Sequence, residues 1–147
     1  VGSREVEIVH CRLVNGAGQP ANLFARGEAV QIELLVRGTR GGTGVVPCLE
    51  LSNRHRQVVY GVTGNHLSAP SADCGAGELR RITFRLQADL APGEYLVDAA
   101  LGWGDRGDGA PVQLLHRVAA IGNFQVHHDG PPRFFGFGDL RAKLEWA

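Results

Sequence analysis

Apolar residues recur at every second position in several short runs of this chain, and Gly, Asn, Asp and Pro separate the runs. A period of two places alternate side chains on opposite faces of a strand, so the pattern selects half-buried β-strands and leaves little room for helix. In residues 29–37, Val30, Ile32, Leu34 and Val36 point one way, while Gln31, Glu33, Leu35 and Arg37 point the other. Residues 79–87 repeat the pattern, with Ile82, Phe84 and Leu86 inward against Arg81, Thr83 and Arg85. These two runs are expected to share a sheet.

A first strand reads from 6 to 13 and ends at Asn15-Gly16-Ala17-Gly18, whose glycines supply the positive φ that tight turns need. Runs 45–53 and 57–63 flank the polar segment Asn53-Arg54-His55-Arg56, the length of a hairpin loop. Pro92-Gly93 introduces a strand over 94–103, and 113–117 and 119–127 read as two more. Eight strands or so at this spacing, with no helical spacer for parallel crossovers, predict one all-β domain over residues 1–147: an immunoglobulin-like antiparallel β-sandwich, with a closed barrel as the alternative.

The 147 residues suit one core. Fifteen basic residues balance fifteen acidic ones, so no long-range positive field exists to draw nucleic acid or an anionic membrane, and no nucleic-acid partner is expected. No apolar run approaches the roughly 20 residues of a spanning helix, and no signal-peptide pattern is present. The three cysteines, Cys11, Cys48 and Cys74, are odd in number and widely spaced, which fits free thiols in a reducing, cytoplasmic setting better than a disulfide framework. The opening Val1-Gly2-Ser3 leaves room for a preceding domain.

Several signals, in their order along the chain, resemble the C-terminal polysaccharide-binding domain of the nucleotide-binding subunit in bacterial ABC exporters of O-antigen, the Wzt type. They are Glu7-Ile8-Val9, the Gly18-Gln19-Pro20 turn, Phe24 followed by Arg26-Gly27-Glu28, and Val59-Tyr60-Gly61 followed by Asn65. Leu90-Ala91-Pro92-Gly93-Glu94-Tyr95-Leu96, Asn123-Phe124-Gln125-Val126 and the terminal 138–146 segment complete them. The resemblance implies a non-catalytic sandwich whose concave sheet holds the modified non-reducing end of an undecaprenyl-linked glycan. It also implies a homodimer with an exchanged C-terminal strand, in the cytoplasm at the inner membrane with the nucleotide-binding and membrane subunits of the exporter. Residues 131–147 suit that exchange, because Phe134, Phe135, Phe137, Leu140, Leu144 and Trp146 crowd a short tail that needs a surface to cover. Where the family often has Asn-Thr after the Tyr/Phe-Gly pair, this chain has Val62-Thr63-Gly64-Asn65-His66, which implies a differently shaped ligand loop.

A glycan site uses planar polar groups to bond hydroxyls and an aromatic ring to cover a sugar's apolar face. If Leu49 and Leu51 face the core, then Cys48, Glu50 and Ser52 face outward, and Asp98 opposes Val97 and Ala99 in the same way. Glu50 and Asp98 are therefore expected on one outer face. Tyr60, Asn65, His66, Trp103, His116 and Arg117 lie at the ends or in the loops of the same sheet, so the candidate carbohydrate-binding set is Glu50, Tyr60, Asn65, His66, Asp98, Trp103 and Arg117. The carboxylate pair also invites a glycosidase reading, but a flat sheet face offers no pocket to separate two carboxyl pKa values. No nucleophile elbow or phosphate-cradling loop is present, so no catalytic residue and no cofactor is assigned. His127-His128 point to opposite faces of a strand, and Gly104-Asp105-Arg106-Gly107-Asp108-Gly109 lacks the ligand spacing of a calcium loop and reads as a flexible turn, so no metal is assigned either. The competing reading is a structural sandwich that dimerises and binds no sugar.

Overall fold

A computed structural model describes residues 2–131 and 133–146. Nine strands form the regular structure of these residues: β1 (Val6–Asn15), β2 (Leu23–Ala25), β3 (Ala29–Gly38), β4 (Gly42–Asn53), β5 (Val58–Thr63), β6 (Ala72–Cys74), β7 (Leu79–Gln87), β8 (Gly93–Trp103) and β9 (Gln113–His127). One sheet has the order β1-β3-β7; the other runs β2-β9-β8-β4-β5, with β6 also paired to β4. Every strand pairing is antiparallel except β2 with β9. The all-β sandwich and the pairing of β3 with β7 agree with the sequence pattern.

The strand count differs from expectation in two ways. Strands β2 and β6 are three residues each, too short to show an alternation. Residues 113–127, read as two strands, are the single strand β9, which bulges between Val118 and Gly122 so that three residues, two more than a regular ladder allows, oppose Asp98. Ala120 at the bulge has φ +50°, an uncommon conformation for a residue with a side chain.

The inward faces of the two sheets meet in a core whose largest fully buried side chains are Phe24, Phe124, Ile32, Leu34, Leu51 and Leu101. The Phe124 ring meets Phe24 edge-on with centroids 5.8 Å apart and stacks on Tyr95 at 5.6 Å. Where β1 crosses β9, Gly122 makes the close approach possible: a Cβ there would lie 3.0 Å from Leu13 Cδ1. Cys11, Cys48 and Cys74 are free, and burial pushes the Cys11 and Cys48 thiols up to about 11, so they pack as small apolar groups.

His116 ties the sheets together on the β1 side. It pairs with Leu101 on the inward face of β9, and its Nδ1 accepts the Ile8 backbone N–H at 2.9 Å. An amide N–H can only donate, so Nδ1 carries no proton and the ring is neutral. Burial lowers the His116 pKa from 6.5, opposed by the nearby Glu7 carboxylate. The unfolded chain therefore binds the proton more readily, and the stability from this strap is complete above pH 6.5 and is lost as pH falls toward the depressed folded value. Denaturant midpoints measured from pH 7.5 to 5 should fall more in the native protein than in His116→Asn. Equal slopes would show that the strap does not titrate.

Candidate functional site

The outward face of the larger sheet carries the polar residues that its alternation predicts. Glu50 on β4 pairs with Asp98 on β8 and with Gly61 on β5. Leu49 and Leu51, on the other side of β4, are buried in the core. Arg117 on β9 pairs with Ala100, which pairs with Cys48. Glu50, Asp98 and Arg117 thus share one face, and with His66 and Asp108 they line a groove of about 430 Å³ floored by Cys48 and Ala100.

Asp98 is the fixed centre of this face. Its side chain is buried, Oδ1 accepts the Ala120 N–H at 2.7 Å, and Oδ2 accepts from Arg117 at 2.8 Å and Arg56 at 3.2 Å. The carboxylate holds the β9 bulge in place and binds two guanidinium groups that each remain about half exposed. Arg56 was not anticipated. It reaches Asp98 because the β4–β5 hairpin turns at Arg56 itself, with φ +62°, while Asn53 Oδ1 accepts the N–H groups of His55 and Gln57. Both Asp98 oxygens are thus engaged by protein donors. Glu50, by contrast, is half-buried and makes no hydrogen bond with another described residue.

The remaining candidates divide by position. Asn65 Nδ2 donates to the carbonyls of Gly104 and Gly109, and Thr63 Oγ1 donates to Gly109 O. His66 Nδ1 accepts the Thr63 N–H, which leaves Nε2 as the donor to Asp108 O. Asn65 and His66 therefore clamp loop 104–110 against the turn after β5, and His66 in addition lines the groove. That loop, expected to be flexible, is pinned, and Asp105 Oδ1 further accepts the N–H groups of Gly107 and Gly109. Tyr60 lies opposite Leu51, on the other side of β5 from the groove, and is 44% exposed at the sheet edge. Trp103 ends β8 beside Gly44, 47% exposed and outside the groove lining. The structure brings together Glu50, His66, Asp98 and Arg117, and leaves Tyr60 and Trp103 apart from them.

The Wzt C-terminal domain family model matches residues 1–140. The chain belongs to this family. The Wzt C-terminal domain family is one of non-catalytic domains in O-antigen ABC exporters. A crystal structure of the C-terminal domain of Wzt superposes with a TM-score of 0.81 over 100% of this chain and 87% of that chain at 17% identity, a likeness of fold. The CARDB domain of a Pyrococcus furiosus protein, solved with di-metal ions, covers 86% of this chain and 93% of its own at TM-score 0.48 and 11% identity. No curated protein matches the chain. Among the described residues, no helix is long and apolar enough to cross a membrane.

Proposed function

We propose that this Wzt-family domain binds the modified non-reducing end of an O-antigen polysaccharide in the groove around Glu50, and so selects finished chains for export. The observation that carries the reading is a half-buried carboxylate, Glu50, without a protein partner, set in the same groove as a guanidinium, Arg117, whose position Asp98 fixes. An unpartnered acceptor and a pre-oriented donor suit a ring of hydroxyls, because neither gives up an internal hydrogen bond when a sugar arrives. A site shaped to a terminal cap loses packing and hydrogen bonds when the cap is missing, which separates finished chains from growing ones. The domain acts in the cytoplasm, at the inner face of the membrane, with the nucleotide-binding and membrane subunits of the exporter.

Calorimetric titration with the purified O-polysaccharide of the source strain, with and without its terminal modification, tests this. Binding should require the modification, and Glu50→Ala or Arg117→Ala should each weaken it at least tenfold, about 1.4 kcal/mol or more. A folded domain that binds neither glycan would instead support the assembly-domain reading.

The C-terminal tail favours a second role beside the first. Arg26 pairs with Asp139 and sits 5.6 Å from the Phe134 ring centroid, so the start of the tail is moored to the end of the sandwich. Phe135, Leu140 and Trp146 are nevertheless more than nine-tenths exposed, and no strand forms among the described tail residues. We infer that a second copy covers these side chains through an exchanged tail. Light scattering should show a dimer for the whole chain and a monomer after truncation before Pro131; a truncated chain that stays dimeric would exclude the exchange.

A further inference from the structure

We propose that the same outward face carries a second sugar subsite, which takes internal, unmodified units of the polysaccharide; the proposal rests on the glycan reading above. A second basin of about 560 Å³ lies on this face toward the start of β8. Its rim is polar, formed by Asn22, Arg54, Glu94, Asn123 and Gln125, and its floor includes Leu96 and the exposed Leu23. The register shows that it continues the groove. Glu50 pairs with Asp98, Ser52 with Leu96, Leu96 with Asn123 and Glu94 with Gln125, so all of these side chains leave the sheet on the same side.

Between the two basins stands Asp98 with its two arginines. Ala100 floors the first and Leu96 the second, four residues apart along β8, which at the rise of a strand is about 13 Å. A single sugar ring does not span that distance, whereas successive units of one chain do. The two basins also differ in chemistry. The first is built on carboxylates and a guanidinium, and suits a distinctive terminus. The second has one charge of each sign, with Glu94 already accepting Gln125 Nε2 at 3.0 Å, and its other polar groups are amides. Side chains of Asn22 and Asn123 are exposed and make no hydrogen bond with another described residue. Carboxamides that both donate and accept, over an apolar floor, match the hydroxyls and C–H faces of neutral hexose units. Contact with more than one unit raises affinity without altering discrimination at the cap, as linked binding events do.

Fragments from mild acid hydrolysis of the source strain's O-polysaccharide separate the two basins. Internal oligosaccharides without the terminal modification should shift the side-chain amide signals of Asn22, Asn123 and Gln125 in nitrogen-edited NMR spectra and leave Arg117 unmoved; the terminal unit alone should do the reverse. In titrations, the double variant Asn123→Ala, Gln125→Ala should lose at least tenfold in affinity for the intact chain and nothing for the terminal unit. If the native domain binds the terminal unit and the double variant binds the intact chain as tightly as the native domain does, the second subsite is wrong and the first stands. Equal losses for both ligands likewise overturn it. If the native domain binds neither fragment nor chain, the glycan reading fails and this proposal with it.

Discussion

Phe124→Ala should cost about 4 kcal/mol of folding stability, the middle of the range for truncating a buried aromatic ring. Its ring fills the space between Phe24 and Tyr95, and all three are buried. Removing it deletes the transfer free energy of the side chain, an edge-to-face contact and a stacked contact, and leaves a hollow that two large neighbours cannot close by rotation alone. For a chain of this length that loss corresponds to a drop in Tm of roughly 8–16 °C. Chemical denaturation followed by tryptophan fluorescence or circular dichroism reads it directly. A loss below about 1.5 kcal/mol would mean that the ring does not occupy the centre of the sandwich.

The second large effect is expected at Asp98. Asp98→Ala removes the acceptor of the Ala120 N–H and the partner of both Arg56 and Arg117. The two guanidinium groups are half exposed, and water takes them up once released, so the loss does not reach that of an orphaned buried charge. What remains is a bulge residue in a left-handed conformation with its N–H unsatisfied, together with the lost charge-assisted bonds, about 3 kcal/mol in all. Asp98→Asn keeps an oxygen for Ala120 and should lose about half as much. Hydrogen exchange at the Ala120 amide distinguishes this account from a general loosening: protection there should collapse in Asp98→Ala and survive in Asp98→Asn. Similar protection in both variants would remove Asp98 from its role in the bulge.

The inward and outward sides of β3, β7 and β8 were legible in the sequence because each carries a period of two, and β4 carries one around Glu50. That period also put Glu50 and Asp98 on one face, and the register pairs them directly. The bulge in β9 left no such trace. Val118-Ala119-Ala120-Ile121-Gly122 contains no charge, proline or turn dipeptide, and the group that shapes it, Asp98, lies 22 residues away in sequence. The strand therefore looked like two. Arg56 was hidden for a related reason: its reach depends on a left-handed turn inside a hairpin. One signal pointed toward it, since an aspartate in an otherwise apolar strand demands cationic or N–H partners, and the hairpin beside it supplies an arginine. Asn65 and His66 were read as ligands because polar side chains in a loop after a strand look the same whether they face a sugar or a neighbouring backbone.

The clamp on loop 104–110 has a consequence for how such a groove diversifies. Thr63, Asn65 and His66 grip the loop by the carbonyl oxygens of Gly104, Asp108 and Gly109, atoms that every amino acid possesses. Gly104, Gly107 and Gly109 are constrained in type, with φ of +81°, +103° and +91°, and a Cβ at Gly109 would lie 2.2 Å from the His66 ring. The side chain of Arg106 takes no part in the attachment, so it is open to replacement while the outline of the wall persists. Variation is thereby uncoupled from folding at Arg106, which makes this position beside the groove the natural one to alter when the domain is redirected to another glycan.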